Sequence, residues 1–188
     1  VAARDAGVKR TVYASSSSVY GDSTSLPKRE DETGRPLSPY AVSKKTNELY
    51  ARVFTDAYGM ELIGLRYFNV FGPRQSPDGP YAAVLPLFMN ALLQNKPADI
   101  DGDGEQTRDF TFIENAVQAN IKALFTQKRE AIGQVFNVAV GERISINRLY
   151  TTLCELTGSK PMPAHRAKRA GDIPDSLADI SRAKDLLD

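Results

Sequence analysis

The chain has 188 residues, of which 41% are hydrophobic and 25% charged, with a formal net charge of +1. That balance excludes a disordered tail, which needs fewer apolar residues and more net charge, and argues against a nucleic-acid binder, which carries a strongly basic face. No apolar run approaches the roughly 18 residues of a membrane span, and a single cysteine, Cys154, excludes an internal disulfide framework and points to a reducing compartment, the cytoplasm. By length the chain is one domain, or one and a part, at about 150 residues each.

In chain order, Val1 to Ala6 reads as the last turns of a helix stopped by Gly7. Lys9 to Ala14 follows as a strand rich in β-branched and aromatic residues. Tyr40 to Tyr58 carries Ala41, Leu49, Tyr50, Val53, Phe54 and Ala57 at helical spacing, with Ser38-Pro39 at the positions of an N-cap and first turn. Leu62 to Phe68 reads as a buried strand and 69–81, with its Gly and Pro residues, as a loop. A helix is expected over Ala82–Gln94, a turn at Asp101-Gly-Asp-Gly, and a strand over Thr107–Ile113. Then come a helix over Glu114–Phe125, a strand over Val135–Val140 and a helix over Ile146–Leu156. Residues 157–175 read as a long basic, Pro-rich loop, and Ser181–Asp188 as a helix cut before its continuation. Strands alternating with helices argue an α/β fold with a parallel sheet. A chain that opens with Val1 inside a helix is read as an internal fragment lacking an N-terminal part.

Several patterns carry chemistry. Tyr40 and Lys44 lie four apart on one helix face. An ammonium beside a phenol favours the phenolate and lowers a tyrosine pKa from about 10, which makes a general base. Two exposed neighbours would show the same spacing. Ser15-Ser16-Ser17-Ser18-Val19-Tyr20-Gly21 follows directly on a strand, and ligands of open α/β sheets sit beyond the carboxyl ends of strands. A polar loop capping that strand satisfies the same residues. Leu65-Arg66-Tyr67-Phe68-Asn69-Val70-Phe71-Gly72-Pro73-Arg74 again runs from a strand into a polar loop. Two further segments, Gly102 to Phe110 and Arg169-Ala-Gly-Asp172, carry arginines whose forks suit phosphate oxygens, or equally surface salt bridges. One His and one Cys make no metal cluster; His165 sits in a loop and Cys154 on an apolar helix face.

SSSSVYG, SPYAVSKK, LRYFNVFGPR, GDGEQTRDF and RAGD, in that order and spacing across essentially the whole chain, resemble the extended short-chain dehydrogenase/reductase family. More narrowly they resemble its nucleotide-sugar epimerases. QSPDGPYAAVLPLF, residues 75 to 88, is similar to the bacterial UDP-N-acetylglucosamine 4-epimerase group. The resemblance implies the C-terminal part of a Rossmann-like, doubly wound parallel sheet with a small substrate-binding subdomain. Residues 1–70 would then be NAD-binding and carry the Tyr/Lys helix, and residues 71–188 would be mainly the subdomain, with some segments returning to the sheet.

It further implies an NAD-dependent 4-epimerase of a UDP-sugar, UDP-N-acetylglucosamine/UDP-N-acetylgalactosamine above all, acting through a transient 4-keto sugar. Tyr40 is then the base, Lys44 holds the nicotinamide ribose, and Ser16 bridges Tyr40 and the sugar oxygen. Ser17, Ser18 and Gln75 line the sugar pocket, Tyr67 and Val70 lie beside the nicotinamide, and Asn69 meets the diphosphate-sugar. Arg108 and Arg169 bind phosphates, Ala83 and Val84 offer helix N-terminal amides to a phosphate or to uracil, and Asp172 meets a ribose. Asp99 departs from the aromatic that many relatives carry there. Ser17-Ser18 stand where sugar dehydratases of the family carry Asp-Glu, which disfavours dehydration. Ser176 stands at a gatekeeper position that is tyrosine in some galactose epimerases, leaving room for an N-acetyl group. The Gly-rich NAD-pyrophosphate turn belongs upstream of residue 1, since no GxxGxxG occurs here. Family members dimerise through the Tyr/Lys helix, so Ala41, Leu49, Val53 and Phe54 face either a partner subunit or their own sheet. The alternatives are a UDP-glucose/galactose or UDP-uronate epimerase and, in another class, a non-catalytic sugar-nucleotide or NAD(H)-sensing module.

Overall fold

The structure, a computed structural model, describes residues 1–78, 83–168 and 173–187. Its centre is a three-stranded parallel sheet in the order β1-β2-β7, formed by Arg10–Ser16, Glu61–Tyr67 and Val135–Val138. Ile63, Leu65, Phe136 and Val138 turn one face of it onto α4 (Ile113–Phe125), which approaches with the small residues Ala116, Ala119 and Ala123. Helix α2 (Pro39–Tyr58) covers the other face. On that side the Tyr13 ring lies opposite Gly64, and a Cβ there would come within 2.5 Å of its hydroxyl oxygen. Glycine at 64 is thus what leaves room for the Tyr13 ring. A short α1 (Ala2–Asp5) precedes β1, and α6 (Ser181–Leu186) closes the described chain.

Helix α2 begins and ends as its sequence predicts. Ser38 accepts the Ala41 amide at 3.1 Å, Pro39 fills the first turn, and Gly59 caps the other end in the left-handed region at φ 63°. Ser38→Ala should therefore lower stability by about 1 kcal/mol, read from the midpoint of urea unfolding. The apolar stripe on this helix divides. Ala41 is buried, whereas Leu49, Tyr50 and Val53 are more than half exposed, so their own sheet does not cover them.

A second core forms where α3 (Val84–Leu93), β4 (Asp99–Asp101) and α5 (Ile146–Thr157) meet, around Phe88, Leu92, Ile100, Leu149 and Tyr150. Small two-stranded pairings join it to the sheet: β3 (Val70–Phe71) with β6 (Thr111–Phe112), and β5 (Thr107–Arg108) with β8 (Ile144–Ser145).

Three expectations are corrected. The first strand does not stop at Ala14 but runs on through Ser15 and Ser16, and only then tightens into a 3₁₀ turn over Ser17–Tyr20. Thr107–Ile113 is not one strand. The fully buried Asp109 lies between β5 and β6 and accepts the amides of Val140, Gly141 and Ala178 at 3.0, 3.1 and 3.2 Å, so the chain changes partners there. The 157–175 stretch is not all loop. Ala164–Arg166 forms β9, parallel to β4, with all three residues exposed and Arg166 paired to Asp99. An exposed strand of three residues has no apolar alternation by which to be recognised.

Candidate active site

The carboxyl end of β1 gathers the first group of expected residues. Lys44 sends its Nζ to the Ala14 carbonyl at 3.1 Å, and the same nitrogen lies 5.5 Å from the centre of the Tyr40 ring. Tyr40, in the first turn of α2, is half exposed. An ammonium has three donors, and the Ala14 bond uses one of them. Two residues along from Ala14, Ser16 accepts the Ser18 amide at 3.1 Å and so caps the 3₁₀ turn. That turn ends on Gly21, at φ 53°, where any side chain would overlap the Arg35 carbonyl. The Tyr40 ring and the Lys44 ammonium thus lie beside the end of β1 that carries Ser16.

Beneath that corner lies a buried ion pair that the sequence reading passed over. Glu48 accepts Arg66 Nε and Nη2 at 2.8 and 2.9 Å and the Ser15 hydroxyl at 2.5 Å. Arg66 also donates to the Glu30 carbonyl and lies over the Tyr20 ring, 4.9 Å from its centre. Tyr20 in turn donates to Asn137 Oδ1 at 2.6 Å. Burial pushes the Tyr20 phenol up to about 12, although Arg66 pulls the other way. Burial also pushes the Glu48 carboxyl up, but the Arg66 hydrogen bonds and charge, with Ser15 and Lys45, outweigh it and hold the group below its ordinary range. The sign of the linkage follows. A carboxyl with a depressed folded value contributes stability that is present above its unfolded value and lost as pH falls through the folded one. Acidification below about pH 4 should then lower the urea midpoint more steeply in the parent chain than in Glu48→Gln.

The second group collects around Asp109. Its carbonyl accepts the Asn69 side-chain amide at 2.8 Å, and Asn69 itself takes a positive φ of 35° as the chain leaves β2. Arg108 is adjacent and donates to the Thr107 carbonyl at 2.8 Å. Ser176 donates its amide to that same carbonyl at 3.1 Å. Asn69, Arg108 and Ser176 are therefore neighbours. Val70 opens β3 and accepts the Gln75 side-chain amide at 3.1 Å, while Tyr67 exchanges hydrogen bonds with Asn120 of α4. Ala83 and Val84 begin α3 without a side-chain cap. Ser17 lies half-buried in the 3₁₀ turn. Arg169 and Asp172 lie outside the described residues.

Among the described residues, four buried side-chain polar atoms lack a partner, and two of them are Ser18 Oγ and Gln75 Oε1. A buried polar atom without a partner costs on the order of 1–3 kcal/mol, so such atoms call for a ligand or water. Among the described residues no group of His, Cys, Asp and Glu could hold a metal ion, and no helix is long and apolar enough to cross a membrane.

A parallel sheet flanked by helices, with Tyr40 and Lys44 on a helix beside the strand end that carries Ser16, fits the short-chain dehydrogenase/reductase class that the motifs resemble. Within it, residues 1–139 match the NAD dependent epimerase/dehydratase family, and the chain belongs to that family. The UDP-glucose 4-epimerase of Mycolicibacterium smegmatis is 37% identical over 187 residues, covering 99% of this chain and 58% of the relative. A solved UDP-N-acetylglucosamine 4-epimerase from Methanobrevibacter ruminantium, in complex with UDP-N-acetylmuramic acid, is similar at a TM-score of 0.92 and 41% identity over 97% of this chain and 58% of that one. The UDP-glucuronic acid 4-epimerase of Bacillus cereus, solved with UDP-glucuronic acid and NAD, gives 0.86 and 35% over 95% and 55%. The chain spans a little over half the length of the curated relatives it matches.

Proposed function

We propose that the protein takes part in NAD-dependent 4-epimerisation of a UDP-sugar, with UDP-N-acetylglucosamine/UDP-N-acetylgalactosamine as the preferred pair. Tyr40 takes the proton of the sugar 4-hydroxyl and later returns it. Lys44 binds the nicotinamide ribose with the donors left after Ala14. Ser16 links Tyr40 to the sugar oxygen. NAD, when bound, supplies the acceptor for the C4 hydrogen and gives it back to the opposite face of a 4-keto sugar. Tyr67 and Val70 border the nicotinamide. Ser17, Ser18 and Gln75 line the sugar pocket, and the two unpartnered buried atoms there support that reading. Asn69, Arg108, Arg169, Asp172, Ala83 and Val84 hold the nucleoside diphosphate. Residues 1–70 with β7 form the cofactor side and the remainder mainly the substrate side.

The observation that carries this reading is the Lys44 ammonium held between the Ala14 carbonyl and the Tyr40 ring at the strand end that continues into Ser16. The residues fit the nicotinamide end of NAD. The 188 residues contain no GxxGxxG for its pyrophosphate, and the chain covers 58% of the Mycolicibacterium smegmatis relative, so the reading is one of the whole protein's activity. The exposed Leu49, Tyr50 and Val53 are the surface through which we expect it to form a homodimer.

A substrate panel with resolved product sugars tests the assignment. The N-acetylated pair should give the highest kcat/KM. A preference for UDP-glucuronate or plain UDP-glucose would move the substrate to the alternatives, and no epimerisation of any UDP-sugar would favour a sensing module. Ser176→Tyr should lower kcat/KM for UDP-N-acetylglucosamine about 10–200-fold or more relative to UDP-glucose, since a difference of one methylene in a pocket already gives that range.

A further inference from the structure

Tyr40, Lys44 and Glu48 lie on successive turns of α2 and share a face. Two of the three are tied to consecutive residues of β1. Lys44 binds the Ala14 carbonyl and Glu48 takes the Ser15 hydroxyl, and the next residue of the strand is Ser16. Glu48 is 7% exposed and Arg66 3%. A buried carboxylate needs its partners, but a structural pair could lie anywhere along the interface of helix and sheet. This one closes on the residue next to the expected bridging serine. Arg66 completes the clamp, since it sits in β2 with its Cα paired to that of Ser15 in register. Arg66 also reaches Tyr20, at the far end of the 3₁₀ turn that Ser16 caps.

We propose that Glu48, held by Arg66, is a positioning residue: by taking the Ser15 hydroxyl it fixes the register of the Tyr40–Lys44 helix against Ser16. It touches neither substrate nor cofactor. The inference rests on the catalytic reading of Tyr40, and the two can fail separately. A misplacement of about 1 Å in a catalytic group costs on the order of 100-fold in rate. Such a loss falls on kcat, because the groups that bind the nucleotide lie on other elements.

The test uses the product of the full reading frame with NAD and the best UDP-sugar of the panel. Glu48→Leu combined with Arg66→Met removes both charges of the pair and leaves neither buried without the other, so it should lose less Tm than either single variant. Expected are a fall in kcat of about 10–100-fold, an unchanged KM, and faster amide exchange confined to residues 14–20, where the Ser18 amide is bonded to Ser16. Ser15→Ala covers the case in which the double variant does not fold. It removes one hydroxyl while Arg66 keeps Glu48 paired, and it should lower kcat and loosen the same peptide with the protein still folded. A folded variant of either kind with kcat within twofold of the parent, or with exchange unchanged over 14–20, overturns the proposal. If instead Tyr40→Phe keeps its turnover, the catalytic reading itself has failed.

Discussion

Tyr40→Phe should lower UDP-sugar turnover by about 10²–10⁴-fold, the usual contribution of a positioned proton acceptor, while leaving the melting temperature unchanged. The phenol is half exposed, and its hydroxyl makes no hydrogen bond that folding depends on among those described. The measurement is a single-turnover assay alongside a thermal melt. Two competing expectations differ sharply from this one. An exposed tyrosine of no consequence would leave turnover within experimental error. A purely structural tyrosine would lower both stability and rate.

The second large effect concerns Asp109. Its carboxylate is the acceptor for three backbone amides, those of Val140, Gly141 and Ala178. Burial pushes the carboxyl up, and the three amides pull it back. Asp109→Ala leaves all three donors without their acceptor, and each buried orphan costs about 1–3 kcal/mol. The loss of stability should then be on the order of 3 kcal/mol or more, seen as a lower urea midpoint with the denaturant slope unchanged. Asp109→Asn keeps one oxygen acceptor and should lose less. The same substitution should raise KM for the UDP-sugar. Asn69 is bonded to the Asp109 carbonyl, Arg108 is adjacent, and Ala178 is two residues from Ser176. A loss below about 1 kcal/mol would show that water takes over these amides.

Much of this was legible in the chain, and the reasons are physical. Helix α2 could be bounded to within a residue because Ser38 and Pro39 are local devices that act through their own backbone and the helical spacing runs on to Tyr58. The Tyr40–Lys44 pairing follows from helical geometry alone. What local pattern could not give is the tertiary ledger. Asp109 sits in a run that reads as a strand, and only the distant Val140, Gly141 and Ala178 amides make it a junction. The 3₁₀ turn at Ser17 begins where a serine side chain replaces the strand partner, so the boundary expected at Ala14 came two residues early. The Glu48–Arg66 pair did leave two traces. An arginine interrupts the otherwise apolar LIGLRYF strand, and a glutamate continues the Tyr40, Lys44 spacing by one more turn. A charge inside a buried strand demands a partner, and that demand is what a closer reading of the sequence would follow.

The apolar residues of α2 teach the complementary lesson. Helical spacing marks Leu49, Tyr50 and Val53 as a face that needs cover, but it does not name what covers it. A similar stripe runs along the outer side of α4, through Val117, Ile121, Leu124 and Phe125, while the small residues of that helix meet the sheet. Periodicity therefore identifies two apolar faces on α4, and only the packing tells which one belongs to the central core.

The most direct measurement is a crystal structure of the product of the full reading frame, as the Tyr40→Phe variant, with NAD and the preferred UDP-sugar. The sugar 4-oxygen should lie within hydrogen-bond reach of Ser16 Oγ, about 2.6–3.2 Å, with Lys44 on the nicotinamide ribose and the edge of the substituted ring at position 40 facing the same oxygen. A 4-oxygen directed away from Ser16, with the sugar seated elsewhere on the sheet, would contradict the account.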